Sequence, residues 1–495
     1  MSDQSLRKRI IADDGSIIIS AGAGSGKTHL LVTKILHEVK TNRTHYKIAA
    51  ITFTKKAANE IKDRLGGKLD GNFVGTNDSF IESEIIKPFI KDAFGKDFPT
   101  EYEVVYSQEY KFRSFERGLI NLKNNYKLGT YLDKQENFKF QLALKILESS
   151  KVARQYLMAK YSRLYIDEYQ DCDKDMHRLF MYIHNQLGVK VFLVGDPKQS
   201  IYEWRGAKPF LFKSLFEGFN DLNKYRLTEN FRCCQEIRNY SNIFLEETQD
   251  LLEELEGELE RVYGIIGDYL PVNLLDMNKE IAILVRTNNE ASEICKLLNE
   301  EGYNFVFVPR TPLDDLGTQY AGIYIELAKF CKNNRYSIYD LMNEIPREVD
   351  GKLFKEIKRI IEPFKGTGLT VEVIEDILIN LFAILDIRIE MKELNAFSKV
   401  ILTPEYDNAF NGNNFLHRVM TIHSAKGLEF DQVMIFASNY NVLRGNDLNE
   451  HYVAVTRGKE KLVVVLNSDN YFTYLKSLLE ALNLSLKKII KIVSD

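Results

Sequence analysis

The sequence predicts an α/β protein, in which apolar strands pass into short polar loops and the loops into helices. Three stretches predict it. The run SIIIS leads through AGAGSGKTHL (residues 21–30) into LVTKIL, RLYIDEYQD (163–171) is an apolar strand ending in two adjacent carboxylates, and VFLVGDPKQSIYEWRGA (191–207) is a strand ending in Gly195, Asp196 and Pro197. Short apolar runs bounded by glycines and charged loops are the mark of strands buried on both faces of a parallel sheet.

The first stretch suits a phosphate cradle. Ile17 to Ile19 read as a strand and Leu30 to Leu36 as a helix. The glycines between them let backbone N–H groups turn inward around an anion, and the helix N-terminus adds its partial positive charge. Ala21, Gly22, Ala23, Gly24, Ser25, Gly26, Lys27 and Thr28 form the loop, with Lys27 for the outer phosphates and the Thr28 hydroxyl for Mg²⁺. The loop opens on Ala21 where the strict pattern has glycine. A plain glycine-rich turn before a helix is the competing reading.

In the second stretch, Asp167 suits a Mg²⁺ shell and Glu168 suits the base that orients and deprotonates an attacking water. Acidic pairs are common on surfaces, but this one ends a strand downstream of the phosphate loop. In the third, Gln199 at a strand end can hydrogen-bond a γ-phosphate and the attacking water. Trp204, the sole tryptophan, lies beside Glu203, Arg205 and Lys208. It reads either as a base-stacking platform or as core.

Composition bounds the rest. The chain has 495 residues, 45% of them apolar and 27% charged, which suits a soluble protein of about three domains. A net charge of −4 means that any nucleic-acid contact comes from local basic surface. Five cysteines without regular spacing predict reduced thiols and a cytoplasmic setting, with Cys233 and Cys234 as packing residues. No stretch predicts a membrane helix, and the apolar segment after Arg7, Lys8 and Arg9 stops at Asp13 and Asp14, against a secretory signal.

Further along, LTENFRCC offers Phe231 and Arg232, MTIHSAKGLEF offers His423 and Glu429, and EHYVAVTRGKEKL offers Arg457. An arginine that reaches a transferring phosphoryl group contributes about 10³–10⁵ in rate, so Arg232 and Arg457 are candidates. EYKFRSFERGLINLKNNYKLGTY (109–131) interleaves Lys111, Arg113, Arg117, Lys123 and Lys127 with Tyr110, Phe112, Phe115 and Tyr126. That pattern fits a strand-binding face or an amphipathic helix with a solvated basic side.

Taken in order, AGAGSGKT, ITFTKKAANEIKDRL, GTNDSF, DEYQD, GDPKQSIYEWRGA, LTENFR, AILVRTNNEA, TIHSAKGLEF and YVAVTRGKEKL resemble the superfamily 1 helicases of the UvrD, Rep and PcrA group. Stretches outside those motifs, such as NFKFQLALKIL and NFRCCQEIRNYSN, resemble the GajB family of Gabija anti-phage systems.

The resemblance implies two RecA-like P-loop cores, parallel sheets flanked by helices, each with an inserted mainly helical subdomain. The first core would take residues 1–80 and 150–225 around an insertion at 81–149. The second would take 226–310 and 401–495 around a reduced insertion at 311–400, whose apolar spacing predicts helices that dock a partner. It further implies catalytic Glu168, Gln199, Arg232 and Arg457, with Asp167 and Thr28 at Mg²⁺, Phe231 stacked on the base and Glu429 on the ribose. Thr52, Phe53, Trp204 and His423 match positions that touch single-stranded DNA.

The implied cofactors are ATP or another NTP or dNTP, and Mg²⁺. The implied partners are single-stranded DNA or DNA ends and a GajA-like nuclease subunit in a hetero-oligomer, with no membrane. The activity is then DNA-stimulated hydrolysis with 3′–5′ unwinding or translocation in phage defence. A stand-alone repair helicase, or a scaffold with residual nucleotide binding, are the alternatives. Two departures stand out. Asp78 replaces the histidine that faces DNA in the family, and Gln4 or Arg9 takes the place of the adenine-reading glutamine.

Overall fold

The computed structural model describes residues 3–493 apart from 54, 66–69, 106–107, 204–205, 268, 317–319, 346–348, 386, 388 and 443–444. Trp204 and Arg205 therefore lie outside the described residues. The chain forms two compact units, residues 1–254 with 443–456, and residues 255–442 with 457–495.

The first unit is built on strands β1 (Ile17–Ala21), β2 (Lys47–Thr52) and β3 (Phe73–Thr76). Two short pairs follow, β4 (Glu103–Val104) with β6 (Lys127–Leu128) and β5 (Lys111–Phe112) with β7 (Thr130–Tyr131). The chain then returns to the main sheet as β8 (Tyr161–Ile166), β9 (Lys190–Gly195) and β10 (Asn223–Leu227). The order is β10-β1-β9-β8-β2-β3, and every pairing in it is parallel.

Alternate residues explain why these runs are continuously apolar. Ile17, Ile19, Tyr165, Phe192 and Val194 enter one core, while Ile18, Leu164, Ile166, Val191 and Leu193 enter the other. Both faces are covered, so these positions favour apolar residues. At the amino ends of the strands a fully buried Arg163 bonds Glu38 at 3.0 Å, Asp14 at 3.1 Å and the carbonyl of Gly15. Removed from water, that guanidinium needs several acceptors at once.

Between β3 and β8 the chain forms a mainly helical insertion that includes helices Phe115–Asn125 and Phe138–Ser149. Phe112, Phe115 and Phe138 turn inward. Phe112 and Phe138 meet edge to face with centroids 4.7 Å apart, and Phe115 packs on Phe138 at 5.4 Å. Lys127 is buried on Glu103 and Lys123 bonds Asp97 at 3.2 Å. Of the interleaved residues, Phe112 and Phe115 join the core and Arg113, Arg117 and Lys123 lie on the surface, while Tyr126 is exposed and Lys127 is buried.

The second unit carries β11 (Val262–Ile266), β12 (Ile281–Val285), β13 (Val306–Val308), β14 (His417–Thr421), β15 (Phe430–Phe436), β16 (Gly458–Leu466) and β17 (Lys491–Val493). They form one parallel sheet in the order β13-β14-β12-β15-β16-β11-β17. Between β13 and β14, helices Ala321–Lys332, Gly351–Ile361, Val371–Leu385 and Met391–Leu402 surround a core of their own around Leu327, Ile357, Phe382 and Phe397. Two parallel sheets flanked by helices, each interrupted by a mainly helical insertion, are the α/β architecture the sequence predicts. Among the described residues, no helix is long and apolar enough to cross a membrane.

Candidate nucleotide site

In a parallel sheet all carboxyl ends share one edge, and ligands bind beyond that edge. Strands β1, β9 and β8 are neighbours, so the loops at 21–28, 195–200 and 167–171 emerge side by side. Each of the three sequence motifs that suggested chemistry lies on one of these loops. Phe231 and Arg232 follow β10, the neighbour of β1 on its other side.

Helix Lys27–Thr41 starts directly after Gly26, which is left-handed (φ 72°) and supplies no capping side chain. A helix end at the sheet edge whose first N–H groups lack a side-chain cap is an anion site by construction. Gly24 is also left-handed (φ 68°), and a Cβ there would lie 2.3 Å from Asn230 Oδ1 and 2.8 Å from Arg232 Cβ. Glycine is required on both counts. The loop is tied to the segment after β10 by the Phe231 N–H, which donates to the Gly24 carbonyl at 2.9 Å.

Asp167 is buried, and its Oδ1 accepts the Glu168 N–H at 2.9 Å. Glu168 is one of few non-glycine residues with positive φ (52°). Such backbone is retained where surrounding contacts over-determine it, and it clusters at functional sites. Gln199 is also buried and donates from Nε2 to Asp196 Oδ2 at 2.5 Å. Asp196 is fully buried and faces the Lys198 ammonium at 2.7 Å. Burial pushes the Asp196 carboxyl up, but Lys198, Lys27 and the Gln199 amide outweigh burial and leave it below the usual carboxylate range. Burial likewise opposes the Lys198 charge, which Asp196 restores and raises above its ordinary value.

Helix Gly445–Val455, far off in sequence, closes the back of this group. The Tyr452 hydroxyl accepts the Ala23 N–H at 3.2 Å, the Lys198 ammonium lies 5.6 Å from the Tyr452 ring centre, and Asn449 donates to the Ser200 carbonyl at 3.1 Å. His451 packs on Phe244 with centroids 4.3 Å apart, and burial brings its pKa down to about 3. Arg232 donates to the Thr456 carbonyl at 3.2 Å.

The first unit therefore gathers residues 21–28, Asp167, Glu168, Gln199, Phe231 and Arg232 at one sheet edge, and Thr52 ends β2 on that edge with Phe53 next to it. Phe231 is 69% exposed, open enough to stack on a ligand ring. Phe53 packs partly into the core beside a buried Thr52. The second unit carries His423, Glu429 and Arg457. His423 lies in the turn Ile422–Ala425 after β14, and Glu429 is exposed, with an oxygen 3.8 Å from the Lys459 ammonium. Arg457 is buried and donates to the Leu428 carbonyl at 3.0 Å.

Several neighbours carry no local sequence signal. Tyr452 and Ala23 are 429 positions apart, so only the tertiary fold reveals their contact. Upstream of the loop, Gln4 is exposed and Arg9 lies 5.7 Å over Tyr225. Arg7 instead lies 5.4 Å over the Phe231 ring and donates to the Ser25 carbonyl. Asp78 meets the ammonium of a nearly buried Lys139 at 3.2 Å, and Lys139 also binds Glu82 at 2.7 Å. The aspartate is thereby held toward the insertion.

The donor set fits a nucleotide: an uncapped helix N-terminus, a lysine and a threonine at its start, and a buried aspartate opposite. A hydrated Mg²⁺ bridging phosphates needs only one or two protein oxygens, and Thr28 and Asp167 are of the right kind.

Comparison with known proteins agrees with this geometry. Residues 7–205 match the model of an AAA domain and residues 416–465 that of a UvrD-like helicase C-terminal domain. The chain is 52% identical to the Gabija protein GajB of Bacillus cereus, over 98% of this chain and 99% of that one. It is 24% identical to the ATP-dependent DNA helicase Rep of Buchnera aphidicola subsp. Schizaphis graminum, over 93% and 91% of the two chains. It is 27% identical to the ATP-dependent DNA helicase PcrA of Staphylococcus epidermidis over 46% of this chain and 38% of that one. The chain belongs to the UvrD-like superfamily 1 helicases, nucleotide-binding P-loop enzymes that hydrolyse NTP, within the group of GajB proteins.

Proposed function

We propose that this chain hydrolyses ATP, or another NTP or dNTP, with Mg²⁺ when single-stranded DNA or a DNA end is bound. In this reading it translocates 3′–5′ or unwinds over short distances and acts beside a GajA-like nuclease in anti-phage defence. The observation that carries the chemistry is the alignment of three loops at one sheet edge. An uncapped helix end faces buried Asp167, left-handed Glu168 and the Gln199 loop. The likeness to a Gabija protein over nearly the whole chain supports the setting.

The backbone N–H groups of residues 22–28 and the Lys27 ammonium hold the β- and γ-phosphates. Thr28 and Asp167 would hold Mg²⁺, which would supply positive charge against the phosphates. Glu168 takes a proton from water as the water oxygen bonds the γ-phosphorus and the bond to the β-phosphate oxygen breaks. Gln199, Arg232 and Arg457 stabilise the equatorial oxygens, Phe231 stacks on the base and Glu429 bonds the ribose. Thr52, Phe53, Trp204 and His423 grip the strand, with Trp204 worth about 1–3 kcal/mol by stacking.

The test is Lys27→Ala in purified protein and in cells. Nucleotide binding and turnover are expected to fall together, with loss of protection against phage at normal protein levels. Protection that survives would favour a scaffold over an enzyme.

A further inference from the structure

Gln170, on the 167–171 loop, is fully buried and reaches toward the 195–200 loop, and no part of the function above uses it. Its Oε1 accepts the Asp196 N–H at 2.9 Å. A backbone N–H can only donate, so the orientation of the amide is fixed. The Nε2 group then points the other way, where it donates to a Glu168 carboxylate oxygen. Gly195 makes room for this bridge, since a Cβ there would lie 2.7 Å from Gln170 Oε1. One rigid amide thus spans from the carboxylate of the left-handed Glu168 to the first residue of the Asp196–Gln199 turn.

We infer that Gln170 is a positioning residue that couples the DNA-responsive loop to the general base. Residues 196–200 lead directly into the segment holding Trp204. The loop is also pinned to helix Gly445–Val455 by the Asn449 bond to Ser200. A shift of this loop moves the Asp196 N–H, the N–H pulls the Gln170 amide, and the amide swings the Glu168 carboxylate toward or away from the water it activates. The inference rests on the reading of Glu168 as the base.

The test uses the full chain with and without single-stranded DNA. Gln170→Glu keeps the acceptor for Asp196 and sets a second carboxyl against Glu168, so the two share a proton and Glu168 is no longer a free base. Gln170→Met keeps the length and removes both polar atoms. A positioned base supplies about 10²–10⁴ in rate, so a misplaced one loses part of that. The expected result for both variants is a DNA-stimulated kcat lower by about 10- to 100-fold, with the KM for ATP within about twofold of wild type. Gln170→Met is further expected to erase the ratio of stimulated to basal turnover.

Glu168→Gln is measured alongside. If it is inactive while Gln170→Glu turns over normally, the coupling is wrong and the base stands. If it turns over normally, the base falls and the coupling with it. Should both Gln170 variants lose folding, or lose nucleotide binding in step with kcat, the role is structural and the inference is overturned.

Discussion

Lys198→Met is a direct probe of how the Asp196–Gln199 turn is held. Asp196 is fully buried, and its one close ionic partner among the described residues is the Lys198 ammonium at 2.7 Å. Methionine keeps most of the lysine stem and its packing while deleting the charge. Breaking a buried pair by removing one partner costs about 3–5 kcal/mol, because the remaining charge is left without compensation. For a unit of this size each kcal/mol moves the melting midpoint by about 2–4 °C, which gives a fall of about 6–20 °C in the transition of the first unit. Differential scanning calorimetry at neutral pH reads it.

The acid side of the curve supplies an internal control. In the wild type the Asp196 carboxyl lies below its ordinary value, so its stabilising contribution is present above the unfolded pKa and is lost as pH falls through the folded one. Without Lys198, only Lys27 and the Gln199 amide oppose burial, so the folded carboxyl moves up and the stability it contributes above the unfolded pKa shrinks. The gap between the two proteins is expected to narrow as pH drops below about 5. A midpoint within about 2 °C of wild type at neutral pH, or a gap independent of pH, would refute the reasoning.

The remaining predictions concern His451, Arg7 and Trp204. His451 stays neutral in the fold down to about pH 3 while the unfolded chain titrates near 6.5, so acidification favours unfolding between those values. Stability should fall by about 2 kcal/mol from pH 6.5 to 5, and His451→Phe should flatten that slope in urea melts. An unchanged slope would place the acid response elsewhere. Arg7→Ala should raise the nucleotide KM about two- to fivefold at constant kcat, the size of an exposed cation–π contact; an unaltered KM would remove Arg7 from the base site. Trp204→Ala should weaken single-stranded DNA binding about tenfold with an unchanged salt slope and unchanged basal turnover, because stacking neutralises no phosphate. Loss of basal turnover and thermal stability together would make Trp204 core.

Much of the sheet and its loops was legible because both operate locally. Ile17 to Ile19 and Val191 to Val194 are apolar at every position because each face of the sheet is covered, and the glycines at 24 and 26 announce a left-handed loop that few other residues tolerate. The contacts among loops were not legible. Tyr452 on Ala23, Lys198 on Tyr452 and Gln170 on Asp196 depend on strand order and on a helix supplied from the far end of the chain. No spacing in the sequence encodes them. The interleaved cations and rings of 109–131 show the reverse limit. Alternation alone does not say which set faces inward, and the packing of Phe112, Phe115 and Phe138 decided it.

The central claim is that this chain is a working DNA-stimulated hydrolase whose base is Glu168. Steady-state phosphate release by purified wild type and Glu168→Gln, each with Mg²⁺, ATP and single-stranded DNA, tests it most directly when paired with a nucleotide-binding titration. The account predicts that DNA raises wild-type turnover and that the variant binds ATP as tightly as wild type yet releases no phosphate above background. Near-normal turnover by the variant, or a wild type indifferent to DNA, would contradict it.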